Sequence, residues 1–182
     1  MAFIKRKTAV KPVEAPRDYS ELENAGDLLN FAAKNKIRTE PLDISSLAQL
    51  LGIKMIFEPM DGDDSGSLKK NKKTGEWVMK VNSLHHPNRQ RFTIAHELGH
   101  FINDSANQDE FSDTVFFRNG ESNPMEVAAN RFAAELLLPE ESFRKYIEYT
   151  SSKVEDIADY FHVSSLAVRI RAKQLGYTGH NV

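Results

Sequence analysis

The stretch Arg91-Phe92-Thr93-Ile94-Ala95-His96-Glu97-Leu98-Gly99-His100-Phe101-Ile102 constrains this chain more than any other. On an α-helix, side chains four apart lie on one face a single turn apart, so His96 and His100 present two imidazole nitrogens to a common point. That is the bite a Zn²⁺ ion takes. Glu97, about 100° further round the helix, is turned away from the ligand position yet close enough to act as general base on a water there, whose pKa zinc lowers toward about 7. Phe92, Ala95, Leu98 and Ile102 recur at three- and four-residue steps and bury one side, while Gly99 removes bulk beside the second ligand. Asn103 and Asp104 offer a stop. Two hydrogen-bonded core histidines would fit the same spacing. The Glu between them, inside an amphipathic helical pattern, favours the metal site.

Cysteine is absent, so disulfides, thiolate zinc sites and cysteine nucleophiles are excluded together. Any zinc site must use His and carboxylate. With 182 residues, 40% of them hydrophobic, the chain is long enough for one domain with a real core. A net charge of −2 gives no global pull toward nucleic acid or a membrane surface. Lys5-Arg6-Lys7 is followed by no apolar run long enough for a signal peptide, and no later stretch is apolar enough to span a bilayer, so the expected location is cytoplasmic.

Residues 1–17, basic and broken by Pro12 and Pro16, read as a flexible N-terminal arm. A helical pattern begins at Asp18 and runs through Leu22, Ala25, Leu28, Leu29 and Ala32. Pro41 and Asp43 open a shorter helix that Gly52 closes. Ile53–Phe57 is a strand candidate, and Ser67–Lys70 and Trp77–Asn82 form a hairpin around Asn71–Gly75. The Asp61-Gly62-Asp63-Asp64 loop resembles the start of a calcium loop, but its twelfth position is Lys72, which rejects calcium. A strand edge beside the metal helix would hold an extended peptide by main-chain hydrogen bonds. His85 and His86 precede the metal helix, with Pro87 in its first turn, and read as a helix-entry feature rather than as ligands. Val115-Phe116-Phe117 interrupts a polar segment, as a short strand or an active-site flap.

A catalytic zinc normally has three protein ligands and an open position, so a third donor is needed. The remaining histidines, His85, His86, His162 and His180, stand in no ligand pattern. The run from Asn123 to Pro139 supplies a carboxylate on a second helix, with Asn123 as cap, Pro124 in the first turn and Pro139 ending it. Glu126, Asn130 and Ala133 share the face that would point at the metal helix. Asn130, one turn beyond Glu126, would orient a ligand from behind. Glu135, Glu121 and Asp104 compete with Glu126 for the ligand role, and a first-turn Glu is also what a helix dipole favours.

The first motif, followed by Glu126-x-x-Ala129-Asn130-x-Phe132-Ala133-x-x-Leu136-Leu137-x-Pro139, resembles the ImmA/IrrE family of zinc metallopeptidases, over roughly Asp18 to Tyr177. Leu138 stands where many relatives have Met. The resemblance implies a gluzincin-like site with His96, His100 and Glu126 as zinc ligands and Glu97 as catalytic base. It also implies a cytosolic endopeptidase that cleaves a helix-turn-helix repressor, often encoded beside it on a phage, mobile element or stress locus. The expected fold is α+β: a mostly helical zincin-like domain over residues 18–150 with a small antiparallel sheet of about three strands.

Residues 151–182 form a helix-turn-helix-like segment expected to pack on the same domain. Arg169, Arg171 and Lys173 could meet phosphates, but Glu155, Asp156 and Asp159 oppose a duplex, so the segment reads as completing the fold or docking protein rather than DNA. The alternative to a peptidase is a non-proteolytic regulatory binding protein, or the toxin partner of a repressor-like antitoxin, with a purely structural zinc. An open ligand position argues against it.

Overall fold

The structure, a computed structural model, describes residues 19, 21–105, 108–113 and 124–177. The N-terminal arm, the Val115–Phe117 segment, Glu121 and the Asn123 cap lie outside the described residues. Among those described are seven helices and four strands, and the α+β expectation holds.

The first helix, α1 (Ala25–Lys34), begins seven residues later than the periodicity places it. Leu22 fits the helical spacing, but the Asn24 side chain accepts from the Asp27 amide at 3.0 Å while the Asp27 carboxylate accepts from the Asn24 amide at 3.2 Å. This reciprocal box satisfies donors a helix start leaves open, and so fixes the boundary. Helix α2 (Ile44–Leu50) is capped by Asp43, and Gly52, at φ 78°, ends it in the left-handed region.

The sheet differs from the three-stranded antiparallel expectation. It has four strands in the order β1-β3-β2-β4, with β1 (Lys54–Glu58) parallel to β3 (Trp77–Asn82). The predicted hairpin is present, β2 (Gly66–Lys70) running antiparallel to β3. Its second strand inserts between β1 and β2, because β3 carries Met79 and Val81, both fully buried, and a central position covers them. Strand β4 (Glu110–Asp113) adds antiparallel to the far side of β2. Buried Asn82 shapes the crossing from β1 to β2: its oxygen accepts from the Met60 and Leu84 amides, and its nitrogen donates to the carbonyls of Met60 and Asp64.

Against the inner face of this sheet lies α3 (Pro87–Asp104), buried continuously from Phe92 to Phe101, with Pro87 in its first turn as predicted. Helix α4 (Pro124–Leu137) packs on α3, and α5 (Glu140–Tyr149), α6 (Val154–Phe161) and α7 (Ser165–Gln174) follow. The turn between α6 and α7 is tied to α3: Asn88 donates to the Val163 carbonyl at 2.8 Å and Arg91 Nε to the His162 carbonyl at 3.0 Å. Burial holds the Arg91 guanidinium below its usual pKa, helped by the positive Arg38 nearby. Arg171 is not available to phosphates. It is 6% exposed and its Nε donates to the Leu138 carbonyl at 3.0 Å, closing the end of α4. No described helix is long and apolar enough to cross a membrane.

Candidate metal centre

One turn of α3 places His96 and His100 side by side, and Glu126 in the first turn of α4 reaches between them. The two Nε2 atoms are 3.0 Å apart, and the Glu126 carboxylate oxygens lie 3.2 Å from His96 Nε2 and 3.3 Å from His100 Nε2. Both imidazoles are buried, whereas the Glu126 side chain is 39% exposed, so the centre opens toward solvent on the α4 side.

The hydrogen bonds behind the rings set their tautomers. His96 Nδ1 lies 3.0 Å from the Asn130 side-chain oxygen, and His100 Nδ1 lies 3.1 Å from Asp104 Oδ2. Both partners accept only, so each neutral ring carries its proton on Nδ1 and a lone pair on Nε2. Two lone pairs then face one another beside a carboxylate, an arrangement that repels itself without a cation at its centre. The separations suit one. Zinc bonds of about 2.0–2.1 Å in tetrahedral geometry place ligand atoms about 3.3–3.4 Å apart, close to the three distances here. The residues therefore fit a divalent metal ion held by three protein donors.

The close approach of the two helices depends on Gly99. A Cβ there would stand 3.1 Å from the Ala129 Cα, 3.3 Å from the Ala129 oxygen and 3.3 Å from the Phe132 Cβ. Because these atoms belong mostly to the α4 backbone, only a shift of the helix relieves them. Gly99→Ala is expected to cost about 1–2 kcal/mol despite its better helix propensity, and to weaken metal binding as Glu126 moves out with α4. Thermal unfolding with and without added zinc checks both.

Phe111 on β4 lies nearly parallel to the His100 ring, centroids 4.8 Å apart and planes 9° apart, with Trp77 stacked behind it at 6.3 Å. The His100 ring plane is thus held from its sheet side by an aromatic column. Glu97 is fully buried on the same turn of α3, and its Oε1 lies 3.5 Å from where a Cβ on Gly66 would sit, which places the carboxylate beneath the start of β2.

Of the residues singled out from sequence, His96, His100, Glu126 and Asn130 come together. Asp104, weighed there as a competing ligand, stands behind His100 instead; the i,i+4 spacing from His100 was the signal for it. Glu135 is elsewhere, paired with Arg131 at 3.0 Å. His86 caps α3 by accepting from the Asn88 amide at 3.2 Å, and His85 precedes it; both stand before the first turn of the helix, ten and eleven residues ahead of His96. Burial, with positive Arg89 near, lowers the His85 pKa. Phe111 was missed, being a lone aromatic in a polar run.

This fold and centre define a class of protein. Residues 48–173 match the Peptidase_M78 family, described as the IrrE N-terminal-like domain, and the chain belongs to that family. It is 31% identical over 118 residues to the metallopeptidase ImmA of Bacillus subtilis (strain 168), across 63% of this chain and 66% of that protein. A solved Mycobacterium tuberculosis transcriptional regulator shares the fold, with a TM-score of 0.58 at 19% identity over 87% of this chain and 48% of its own. The chain thus spans less than two thirds of each of these proteins.

Proposed function

We propose that the protein is a zinc-dependent endopeptidase acting on a protein substrate, and that this substrate is a helix-turn-helix repressor of the kind the family resemblance implies. The observation that carries the peptidase reading is the convergence of His96 Nε2, His100 Nε2 and a Glu126 carboxylate within 3.0–3.3 Å, with Glu97 buried on the same helical turn.

His96, His100 and Glu126 would hold the ion, and Zn²⁺ bound there supplies Lewis acidity to the scissile carbonyl and lowers the pKa of the attacking water. Glu97 takes the proton of that water and delivers it to the departing amine nitrogen. Asn130 and Asp104 accept from Nδ1–H and so keep the two imidazoles in the tautomer whose Nε2 carries a free lone pair.

Strand β4 supplies a place for the peptide. The Lys70 amide donates to the Asp109 carbonyl at 2.7 Å, and the β2–β4 register continues from it, so Phe111 and Asp113 turn their main-chain groups toward β2. Glu110 and Ser112 turn theirs outward, to an edge that no other described strand pairs. Phe111 lies over His100 and Asp113 pairs with Gly66, beside Glu97, so this edge runs along the metal helix. An extended substrate paired to it would bring its carbonyls past the centre.

A survey of new protein N-termini in cells making the wild type or Glu97→Gln tests the reading. Wild-type-specific termini within a helix-turn-helix protein are expected. Their complete absence would remove the endopeptidase and leave sequestration of a partner, while termini confined to other proteins would remove the repressor. A second measurement tests the support of the rings: Asp104→Ala is expected to weaken zinc binding about 10- to 100-fold, read by competition with a chromophoric chelator.

A further inference from the structure

The sheet has one face on α3 and another on solvent, and the solvent face is cationic. Beneath the β2–β3 hairpin it forms a recess of about 520 Å³ lined by five lysines, Lys69, Lys70, Lys72, Lys73 and Lys80, with Val78 the one apolar residue among them. The chain as a whole has a net charge of −2. Lys70 pairs with Asp109 at 3.7 Å. Lys69 and Lys80 hold Glu110 and Glu58, both at 2.8 Å. Lys72 and Lys73 are exposed on the hairpin turn and make no ion pair among the described residues. Hydrogen bonds brace the turn: the Asn71 side-chain oxygen accepts from the amides of Lys73 and Thr74, and the Asn71 main-chain N–H donates to the Glu76 carbonyl.

We infer that this recess is an exosite for an acidic segment of the protein substrate, an inference that rests on the endopeptidase reading. Carboxylate is already the chemistry its ammonium groups accept, so acidic side chains can replace Glu110 and Glu58 as partners at little net cost. Val78 offers a dry floor for an apolar residue among them. Nucleic acid fits less well. The lining has no arginine fork for phosphate and no aromatic platform for a base, and the whole chain is negative.

Position supports the assignment. Lys69, which lines the recess, pairs with Glu110, a residue whose main chain faces the open β4 edge, so an ion pair joins recess and edge. Crossing from that edge to Lys80 on β3 covers two strand spacings, about 10 Å, or three to four extended residues. A substrate paired to β4 would therefore pass its acidic segment over the sheet edge onto the outer face. The Lys69–Glu110 pair would open as it does so.

The test uses the full chain carrying Glu97→Gln, loaded with zinc, and an eight-residue fluorescein-labelled peptide alternating Glu and Val. Anisotropy is expected to report binding that weakens about tenfold in the Lys72→Glu/Lys73→Glu variant and when salt rises from about 0.1 M to about 0.5 M. The Gln-Val analogue should not bind. Both substituted lysines are exposed on a turn, and circular dichroism confirms that the variant is folded. An acidic peptide that fails to bind, or binds the lysine variant equally well, overturns the exosite. So does a single-stranded oligonucleotide of the same charge that binds more tightly and is lost in the same variant. The readout is binding to a variant expected to cleave nothing, so its failure leaves the N-terminus survey untouched. Where that survey yields a substrate, the lysine variant should raise KM about tenfold and leave kcat unchanged.

Discussion

Glu97→Gln is expected to lower cleavage by at least about 1,000-fold while leaving the metal stoichiometry and the melting temperature near those of the wild type. General acid–base groups contribute about 10²- to 10⁴-fold, and in the proposed mechanism one carboxylate serves both the attack on the carbonyl and the departure of the amine. The loss should therefore sit at the upper end. Gln keeps the shape of Glu97 in a fully buried position, so packing beneath β2 changes little. The proposed metal donors are other side chains, His96, His100 and Glu126, and bound zinc should remain at one per chain. Zinc content by atomic emission and cleavage of the substrate found by the N-terminus survey measure the two halves separately. A Gln variant that has lost its zinc would make Glu97 part of the metal's support. One that cleaves at the wild-type rate would remove it from the chemistry.

How much of this arrangement could be read beforehand varies with the range of the interactions involved. His96, Glu97 and His100 needed only the pitch of one helix, and Pro87 and Asp104 bracket that helix close to where its pattern ends. Glu126 and Asn130 needed one further assumption, that the second helix packs face to face with the first, and the alanines around Ala129 together with Gly99 carry it. The sheet was legible only as far as its hairpin. That β3 enters between β1 and β2, and that four residues around Phe111 join from beyond the metal helix, are long-range pairings that local alternation does not encode. Polar residues used internally were also hidden. Arg171 looks like a surface cation in a basic stretch, yet its guanidinium binds the Leu138 carbonyl, and Arg91 is half committed to the α6–α7 turn. Nothing in a residue's own neighbourhood says which distant carbonyl needs a donor.

Gly66→Ala is expected to destabilise the protein by about 3 kcal/mol and to reduce cleavage, although the residue is none of the proposed metal donors. A Cβ on Gly66 would stand 2.5 Å from the Thr93 Cγ2 and 2.8 Å from the Lys80 main-chain oxygen, both closer than atoms can approach. Neither can simply swing aside. Thr93 is fully buried with its hydroxyl donating to the Arg89 carbonyl at 3.0 Å, and Lys80 belongs to the central strand. Relief must come from parting β2 and α3, and the segment leading into Gly66 resists that: Asn82 holds the Asp64 carbonyl, and Arg89 donates to the Ser65 hydroxyl at 2.9 Å. The displaced strand would carry β4 with it through the Gly66–Asp113 pairing, and would shift the roof over Glu97. Cleavage should therefore fall with stability rather than independently of it. Adding Thr93→Ser removes the nearer contact and keeps the hydroxyl, so the double variant should recover roughly half of the lost stability, the Lys80 contact remaining. Chemical denaturation of the four members of this cycle gives the coupling. Additive effects of the two substitutions would mean that α3 and β2 are not in the close contact on which the placement of Glu97 depends.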